Sequence, residues 1–423
     1  MFIIYDLIFL IFMLVYLPVY LFRGKFHRGF SRRLGILPPD LGLERPIWIH
    51  AVSVGEAISI KALVSELRKA YPHKKLVIST VTATGNKVAR ALVNAGDFLT
   101  YLPLDFSFIT SRVFKRINPC LFIIAETEIW PNLISSLHKQ KIPVITVNGR
   151  ISDSSYAGYR AIKLFIRPIL NKIAQFCVQS ASDALRLQDL GVEKEKIHVT
   201  GNVKFDINLE VSAGLNASDY RQKLWLGPED KLLACGSTHS GEEELIIKTY
   251  KELLLVFPKL KLLIAPRHPE RSKDIAEVAV KNGFMPVFIS GINTACPTCI
   301  SGPVFILDVI GELLNFYAAA DIVFVGGSLV KTGGHNILEP ASLKKPVIFG
   351  PYMFNFRDIT GLFLKNKAAI MAHDAGQLKN KIKELLENGL SAKALGERAY
   401  ELISKNSGAT IKNIGIIKGL KLI

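Results

Sequence analysis

A glycine loop in the last third of the chain contains the residue types that hold an anion. It reads Gly-Gly-His-Asn-Ile-Leu-Glu-Pro over residues 333–340 and follows the apolar run Ile322–Val325 and a glycine pair. Glycines let the backbone approach a ligand closely, and unpaired amides at a helix N-terminus favour negative charge. Glu339 could accept hydrogen bonds from ribose hydroxyls. The pattern favours a nucleotide site, with a glycine-rich turn capped by Asn336 as the alternative.

Three acidic residues follow apolar, strand-like runs and are candidates for proton transfer. Glu56 comes after the run Ile47–His50 at a predicted helix start, where the helix dipole is expected to lower its pKa and keep it ionised. An ionised carboxylate can take a proton from a hydroxyl nucleophile. Glu126 and Glu128 follow the run Leu121–Ala125 and suggest a shared acid and base task. The alternative for each is an acidic residue that stabilises a helix start.

Two basic residues, like the acidic ones, lie at the ends of predicted strands. Arg267, between Pro266 and His268, ends a predicted strand and could clamp a phosphate through two hydrogen bonds. His268 is harder to assign, and its alternative role is to order the loop. Lys204 ends the last strand of the first half and could neutralise a leaving phosphate, with a solvated lysine as the alternative. The chain lacks G-x-x-x-x-G-K-[ST], a G-x-G-x-x-G after its first strand, H-E-x-x-H and a nucleophile elbow, which disfavours NTP hydrolysis and NAD binding.

The elements that must position these residues form an α/β pattern. Short β-branched runs alternate with amphipathic stretches from residue 46 onward, which is typical of parallel sheets covered by helices on both faces. The predicted strands are 47–50, 76–80, 121–125, 144–147, 176–179 and 197–200 in a first domain, and 232–235, 262–265, 286–289, 305–307, 322–325 and 347–349 in a second, where 242–256 and 377–387 are predicted helices. Ligands bind beyond the carboxyl ends of such strands, so we expect two doubly wound domains that face each other across a cleft.

The two halves open alike, with a strand followed by Ser-Val-Gly-Glu at 53–56 in one and Ser-Thr-His-Ser-Gly-Glu at 237–242 in the other. The acidic run 242–244 is interpreted as a helix N-terminus without a catalytic role. Length and pattern predict an anchor at 1–22, a first domain at 23–207, a linker at 208–230 and a second domain at 231–423.

The segment 1–22 is apolar apart from Asp6 and Pro18, and as a helix it would measure ~33 Å against a bilayer core of ~30 Å. Basic residues follow at once, which predicts a cytoplasmic body by the positive-inside rule and disfavours a cleaved signal. A helix that lies in the membrane interface remains open.

Charge indicates the kind of partner, and cysteine content indicates the state of the thiols. The formal charge of +17 indicates an anionic partner, but the basic residues are scattered without an aromatic-interleaved stripe, which argues against nucleic acid. Five cysteines are an odd number, and Cys120, Cys177 and Cys235 lie in apolar runs as expected of reduced core thiols. Cys296 and Cys299 are interpreted as a surface loop, with a labile disulfide as the lesser alternative.

In sequence order, the motifs resemble those of the 3-deoxy-D-manno-octulosonic acid (Kdo) transferases of lipopolysaccharide assembly. The resemblance covers nearly the whole chain and is carried by the apolar leader and by the motifs HAVSVGE at 50–56, ETEIWPN at 126–132, VNGR at 147–150, GNVKFD at 201–206, GSTH at 236–239, APRH at 265–268, GGS at 326–328 and GHNILEP at 334–340. No single motif is specific, and their shared order is what identifies the family.

The resemblance implies a GT-B fold of two Rossmann-like domains, with CMP-Kdo bound by the second and lipid A precursor (lipid IVA) as acceptor at the bacterial inner membrane. It implies inverting transfer without a metal or other cofactor, Glu56 as general base, and Glu126 and Lys204 as supports of the transition state. The implied CMP contacts are Pro266, Arg267, Ile310, Gly311, Glu312, Asn336, Ile337, Leu338 and Glu339. The alternatives are another membrane-associated GT-B nucleotide-sugar transferase and a non-hydrolysing sugar epimerase.

Overall fold

The computed structural model describes residues 2–22, 29–206, 215–292 and 302–420, with side chains described from residue 4 to 15 in the first of these ranges. The chain forms two compact units, Met1–Ile207 with Asn406–Ile423, and Asn208–Lys405. Each unit is an α/β domain built on one parallel sheet of seven strands. The pair Cys296 and Cys299 and the basic residues 23–28 lie outside the described residues.

The first unit contains a parallel sheet in the order β3-β2-β1-β4-β5-β6-β7. Its strands are β1 (Ile47–His50), β2 (Leu76–Thr80), β3 (Phe98–Tyr101), β4 (Leu121–Ala125), β5 (Val144–Gly149), β6 (Gln175–Val178) and β7 (Ile197–Val199). Its helices up to residue 189 are α1 (Phe2–Phe22), α2 (Phe30–Arg33), α3 (Val54–Ser59), α4 (Lys61–Ala70), α5 (Ala83–Ala89), α6 (Ser107–Ile117), α7 (Pro131–Lys139), α8 (Asp153–Ala161), α9 (Lys163–Leu170) and α10 (Ala181–Asp189).

Both faces of this sheet are buried. Along β1, Trp48 packs into one core with Phe114 and Phe122, while Ile47 and Ile49 pack into the core on the opposite face. Because successive side chains of a strand point to opposite faces, a strand buried on both sides must be apolar throughout. This explains why the continuous apolar runs of the sequence predicted the central strands.

The second unit repeats the architecture, with the strand order β10-β11-β9-β8-β12-β13-β14. Its strands are β8 (Lys231–Thr238), β9 (Leu260–Pro266), β10 (Pro286–Phe288), β11 (Val304–Ile306), β12 (Ile322–Val325), β13 (Val347–Phe349) and β14 (Ile370–Met371). Its helices are α11 (Ala217–Lys223), α12 (Glu242–Leu254), α13 (Ser272–Lys281), α14 (Leu313–Ala319), α15 (Leu338–Ser342), α16 (Arg357–Lys365), α17 (Ala375–Glu387) and α18 (Gly389–Asn406).

The domain boundaries differ from the sequence prediction at two places. Helix α19 (Ala409–Gly419) belongs to the first unit, because Ile414 and Ile417 pack into its core and Asp206 accepts hydrogen bonds from the amides of Gly408 and Thr410 at 2.6 Å. Part of the predicted linker 208–230 is helix α11 of the second unit, where the guanidinium of Arg221 lies 3.2 Å from the carboxylate of Asp321.

The predicted anchor 1–22 is helical as α1, but where side chains are described no helix is both long and apolar enough to span a membrane. One face of α1 is held on the first unit. The carboxylate of Asp6 accepts hydrogen bonds from the Ser107 amide at 3.0 Å and the Asn132 side chain at 2.7 Å, and Phe9 makes an edge contact with Phe106. Where its side chains are described, α1 is thus docked on the first unit through a polar contact, and the membrane anchor stays a prediction.

Candidate functional site

The order of the first sheet reverses between β1 and β4, the position where ligands of doubly wound sheets bind. Glu56 lies in the helix that follows β1, and Glu126 is the first residue after β4. The sheet therefore brings together two of the carboxylates that the sequence singled out, although they are 70 residues apart in the chain.

The carboxylate of Glu56 folds back onto the start of its own helix. Its two oxygens accept hydrogen bonds from the Val52 amide at 2.7 Å and from the Ser53 hydroxyl at 3.0 Å. In return, the Ser53 hydroxyl caps the helix by accepting from the Glu56 amide. Glu56 therefore does stabilise the start of its helix, as the alternative interpretation predicted. These hydrogen bonds also hold its side chain at the edge of the sheet.

Burial raises the pKa of Glu56 to about 7, with smaller increases from the negative charges of Glu126 and Glu128 and opposing decreases from its hydrogen bonds to Val52 and Ser53. The expectation that the helix dipole would lower this pKa is wrong, because desolvation of the charged carboxylate outweighs the dipole of a six-residue helix. A carboxylate with a pKa near neutrality is matched to general base catalysis, since it is both available and basic enough to accept a proton.

Glu126 adopts the left-handed backbone conformation with φ of 62°, which is unusual for a non-glycine residue. Its amide donates to the Val147 carbonyl at 2.8 Å, and one carboxylate oxygen lies 3.9 Å from the ammonium of Lys204. Backbone strain of this kind costs about 1–3 kcal/mol and is concentrated at functional sites. The structure thus pairs Glu126 with Lys204, the two residues that the family resemblance assigned to transition-state support.

The loop that carries Lys204 is held by amide side chains. Buried Asn148, also left-handed with φ of 56°, accepts from the Val203 amide at 3.1 Å, and Asn202 accepts from the Lys204 amide at 2.9 Å. Glu128, in contrast, accepts from the indole nitrogen of Trp130 at 2.8 Å, and burial raises its pKa. Glu128 therefore lies just before helix α7, close enough to Glu56 and Glu126 for its charge to affect the pKa of Glu56.

The second sheet reverses its order between β8 and β12. The residues predicted to bind the nucleotide lie at the carboxyl ends of these strands and of their neighbours. Glu242, fully buried in the first turn of α12, accepts four backbone hydrogen bonds here. The donors are the amides of His239, Gly327, Ser328 and Leu329, at 2.9, 2.6, 2.9 and 2.8 Å. The interpretation of the run 242–244 as only a helix start is corrected, because Glu242 fastens the glycine loop after β12 to the loop after β8.

Helix α15, which follows the glycine loop, has five residues, and Asn336 lies two residues before its first residue. The side-chain oxygen of Asn336 accepts from the Leu338 amide at 3.0 Å, and its nitrogen donates to Glu339 at 3.2 Å. Burial raises the pKa of Glu339, while Asn336 and Arg267 oppose the shift. Ile337 and Leu338 are buried as whole residues, backbone and side chain alike, so the structure leaves little of either accessible to a nucleotide.

Three histidines lie in or beside the glycine loop. The Nε2 atoms of His239, after β8, and His335, in the loop, lie 2.8 Å apart in rings that are parallel to within 6°. His268, exposed after β9, makes an edge contact with His239, and Arg267 beside it is also exposed. Burial lowers the pKa of His335 to about 4, helped by the positive charge of Arg267. No role was predicted for His239 or His335 from the sequence, although both lie in motifs on which the family resemblance is based.

The remaining predicted nucleotide contacts follow neighbouring strands. Pro266 is buried at the end of β9. Ile310, Gly311 and Glu312 follow β11, where Ile310 is exposed and the carboxylate of Glu312 pairs with the ammonium of Lys223 at 3.0 Å. Among the residues that the structure describes, no group of three or more His, Cys, Asp or Glu side chains is arranged to hold a metal ion.

Comparison with known proteins agrees with this geometry. Residues 28–207 match the family model described as 3-deoxy-D-manno-octulosonic-acid transferase (kdotransferase), and residues 303–402 match that of glycosyl transferases group 1. The 3-deoxy-D-manno-octulosonic acid transferase of Haemophilus influenzae is 37% identical over 90% of this chain and 87% of its own length. The enzyme of the same description from Chlamydophila psittaci is 33% identical over 84% and 82%.

Among solved structures, the UDP-GlcNAc 2-epimerase of Neisseria meningitidis has a TM-score of 0.57 at 15% identity, covering 88% of this chain and all of that one. This likeness shows a shared fold and nothing about activity. The sequence relatives are more specific than the shared fold, because their description is the same as that of the matched family model. The chain belongs to the family of 3-deoxy-D-manno-octulosonic acid transferases and is a glycosyltransferase.

Proposed function

We propose that this Kdo transferase moves Kdo from CMP-Kdo to lipid A precursor at the inner membrane, by an inverting and metal-independent reaction. Glu56 acts as the general base, Glu126 and Lys204 support the transition state, and the loops of the second domain hold the nucleotide. The observation that carries the proposal is the position of Glu56, a half-buried carboxylate whose pKa is raised to about 7 by desolvation, at the switch point of the first sheet.

The chemical step joins the acceptor to the sugar as the nucleotide leaves. Glu56 takes the proton of the acceptor hydroxyl, and the hydroxyl oxygen bonds to the anomeric carbon of Kdo from the side opposite the phosphate. The bond between that carbon and the phosphate oxygen breaks, and CMP departs with the electron pair. Charge that develops in this step needs fixed positive groups in place beforehand, and such electrostatic stabilisation is commonly the largest single contribution to catalysis.

The pair of Glu126 and Lys204 supports this step. The ammonium of Lys204 lies 3.9 Å from the carboxylate of Glu126, and both side chains are about one third exposed or less. A partly buried cation at this edge can stabilise developing negative charge more than a solvated one, because the surrounding dielectric is lower. The strained backbone of Glu126 holds that carboxylate where it also influences the pKa of Glu56.

The donor site is proposed from the exposed Arg267 and the backbone of the glycine loop. The guanidinium of Arg267 presents planar donors that suit a phosphate, and Glu339 with Asn336 offers a carboxylate and an amide for the ribose hydroxyls. The remaining predicted contacts, Ile310, Gly311 and Glu312, are proposed to complete the site from the loop after β11. Ile337 and Leu338 are buried, and their contacts with the nucleotide stay a prediction from the family resemblance.

Mass spectrometry of the products tests the proposal. Purified protein is incubated with CMP-Kdo and tetra-acylated lipid A precursor, and the mass of the acceptor is measured before and after, with CMP-sialic acid as a parallel donor. The expected result is acceptor that gains whole Kdo units only with CMP-Kdo, whether or not a chelator is present. An unmodified acceptor in the presence of intact, folded protein contradicts the assignment.

Attachment to an anionic membrane is proposed from the free faces of α1. The docked face carries Asp6 and Phe9, whereas Ile4, Ile8 and Ile11, at helical spacing on another face, are more than half exposed. An exposed apolar stripe on a helix that is fixed to a domain suits burial in the interfacial region of a bilayer. The formal charge of +17 adds attraction to anionic lipid. This geometry favours the interfacial arrangement, one of the two that the sequence leaves open.

Vesicle flotation tests this attachment. Wild-type protein is expected to float with vesicles that contain phosphatidylglycerol, and the triple variant Ile4→Asp, Ile8→Asp, Ile11→Asp is expected to stay behind. Leu255→Asp is the matched control, because Leu255 is 86% exposed on the second unit and lies outside the proposed surface. Equal flotation of the triple variant and the control contradicts a role for this face of α1.

A further inference from the structure

Two histidines that have no part in the roles proposed so far form a close pair at the switch point of the second sheet. His239 follows β8 and His335 lies in the glycine loop after β12, and their Nε2 atoms are 2.8 Å apart. Two ring nitrogens at this distance need one proton between them, so one donates and the other accepts. In the neutral pair, one Nδ1 is then a donor and the other is an acceptor.

The position of the pair is fixed by the loops that carry it. One oxygen of buried Glu242 accepts from the His239 amide at 2.9 Å and from the Gly327 amide at 2.6 Å, which ties the two loops together. Gly327, with φ of 66°, leaves room for the imidazole, because a Cβ at that position would lie 2.9 Å from His335 ring carbon. The imidazoles are therefore placed before any ligand arrives, so their ordering costs little on binding.

The carboxylates nearest the pair are engaged by other partners. Glu242 is saturated by four backbone amides, and the carboxylate of Glu243 is paired with the guanidinium of Arg271 at 2.6 Å. His268 and Arg267 are exposed on the adjacent loop after β9, and Arg267 also faces Glu339. Burial is the largest cause that lowers the pKa of both His239 and His335, and on His239 it outweighs the opposing charges of Glu242 and Glu243, so the pair is neutral near pH 7.

We propose that His239 and His335 act as a proton-accepting pair that binds the phosphate of the donor nucleotide. A phosphate beside the pair favours its charged form, and the proton comes from solvent. One added proton converts the accepting Nδ1 into a second donor, so the pair can then offer two N–H groups and one positive charge to the anion. This inference rests on the proposed function, because it names the group that the donor site binds.

Calorimetric titration with CMP tests the inference. Heats are measured in buffers of different ionisation enthalpy between pH 6.5 and 7.5, and their slope gives the number of protons taken up per CMP. CMP itself contributes to this number because the second pKa of a phosphate monoester is about 6, so the readout is the difference between wild type and variant. Cytidine, which lacks the phosphate, is titrated in parallel.

The wild-type protein is expected to take up more protons with CMP than either His335→Gln or His239→Gln, and each variant is expected to bind CMP about 10-fold more weakly, as for loss of a charge-assisted hydrogen bond. Cytidine binding is expected to show no such difference. His373→Asn is the control, because His373 is exposed in the same unit and is expected to change neither quantity.

The possible outcomes separate the two proposals. CMP binding with equal proton uptake in wild type and both variants overturns the histidine pair and leaves the donor assignment standing. No CMP binding by folded wild-type protein overturns the donor assignment and the pair with it. Equal losses for CMP and cytidine in the variants also overturn the pair, because they show a structural effect without phosphate recognition.

Discussion

The same acidic residue type follows the first strand of both sheets, but its surroundings differ. Glu56 enters the helix after β1, and Glu242 enters the helix after β8. Glu242 accepts four backbone amides and fastens two loops, whereas Glu56 accepts one amide and one hydroxyl and faces the negative charges of Glu126 and Glu128. The number of donors and the charge of the neighbours thus separate a structural carboxylate from one suited to catalysis.

This difference has a physical basis in desolvation. A buried carboxylate loses its hydration, and hydrogen-bond donors inside the protein must replace that loss if it is to stay charged. Each carboxylate oxygen of Glu242 accepts two backbone amide hydrogen bonds. Glu56 has fewer donors and two acidic neighbours, so it holds a proton more tightly and can exchange it near neutral pH.

The largest expected effect comes from removing the base. Glu56→Gln keeps the size of the side chain but cannot accept a proton, so turnover is expected to fall at least ~100-fold, the scale of general base loss. Binding of CMP to the second domain is expected to stay unchanged. Initial rates of Kdo transfer and CMP titrations measure the two quantities.

Glu66→Gln on the neighbouring helix α4 is the control, because the Glu66 carboxylate makes only a surface ion pair with Lys69 in the structure described. Its turnover is expected to match wild type. A Glu56→Gln enzyme with unchanged turnover removes Glu56 from the catalytic role.

The next effect concerns the donor site. Arg267→Ala is expected to weaken CMP binding by ~10- to 100-fold, since a hydrogen bond to a charged group contributes about 1.5–3 kcal/mol. Arg398→Ala, which removes an exposed guanidinium bonded to the Lys367 carbonyl, is the control. An unaltered CMP dissociation constant in Arg267→Ala refutes the phosphate clamp.

The structural role of Glu242 is tested by stability. Glu242→Gln places an amide NH₂ group against backbone N–H donors, and the free energy of unfolding is expected to fall by about 2–3 kcal/mol. Chemical denaturation measures this change. Glu244→Gln is the matched control two residues later, because Glu244 is exposed and pairs only with Lys248 in the described structure, so little change is expected.

If Glu242→Gln is as stable as Glu244→Gln, the buried carboxylate does not fasten the glycine loop. The contrast between the two halves of the molecule would then rest on Glu56 alone.

The dependence of stability on pH gives a smaller effect with a defined sign. The pKa of Glu56 is raised in the folded state to about 7 from an ordinary value of 4.5, so folding favours its protonated form. Its contribution to stability is therefore fully present below about pH 4.5 and is lost as the pH rises through about 7. Wild type minus Glu56→Gln isolates this contribution from Asp105, whose pKa burial also raises to about 7.

Denaturation curves at pH 5 and pH 8 measure this difference. The wild-type free energy of unfolding is expected to decline more between these two values than that of Glu56→Gln. Equal declines in the two proteins indicate that Glu56 titrates in the folded state as it does in the unfolded chain.

The sequence predicted the central strands of both sheets because they are buried on both faces and are apolar throughout. Of the four edge strands of the two sheets, it predicted β7 and β10 but missed β3, whose side chains are mostly half-buried, and β14, which has only two residues. Short or partly exposed edge strands lack the continuous apolar run that identifies a central strand.

Much of the candidate site was also visible in the sequence, because Glu56, Glu126, Lys204 and Arg267 stand directly after apolar strands or in short motifs. The role of Glu242 was not visible, since its partners Gly327, Ser328 and Leu329 are more than 80 residues away in the chain. The raised pKa of Glu56 depends on burial in the tertiary structure, which position at a helix start does not report.

The pH dependence of Kdo transfer tests the central claim most directly, because it reports the ionisation of the group that accepts the proton. The wild-type kcat/KM is expected to rise with pH to a plateau, with a midpoint near the Glu56 pKa of about 7. Glu126→Gln removes a negative neighbour, so its midpoint is expected to shift to lower pH. A profile without an inflection between pH 5 and 8, or a midpoint that Glu126→Gln leaves in place, contradicts the assignment of Glu56 as a base tuned by burial and by its acidic neighbours.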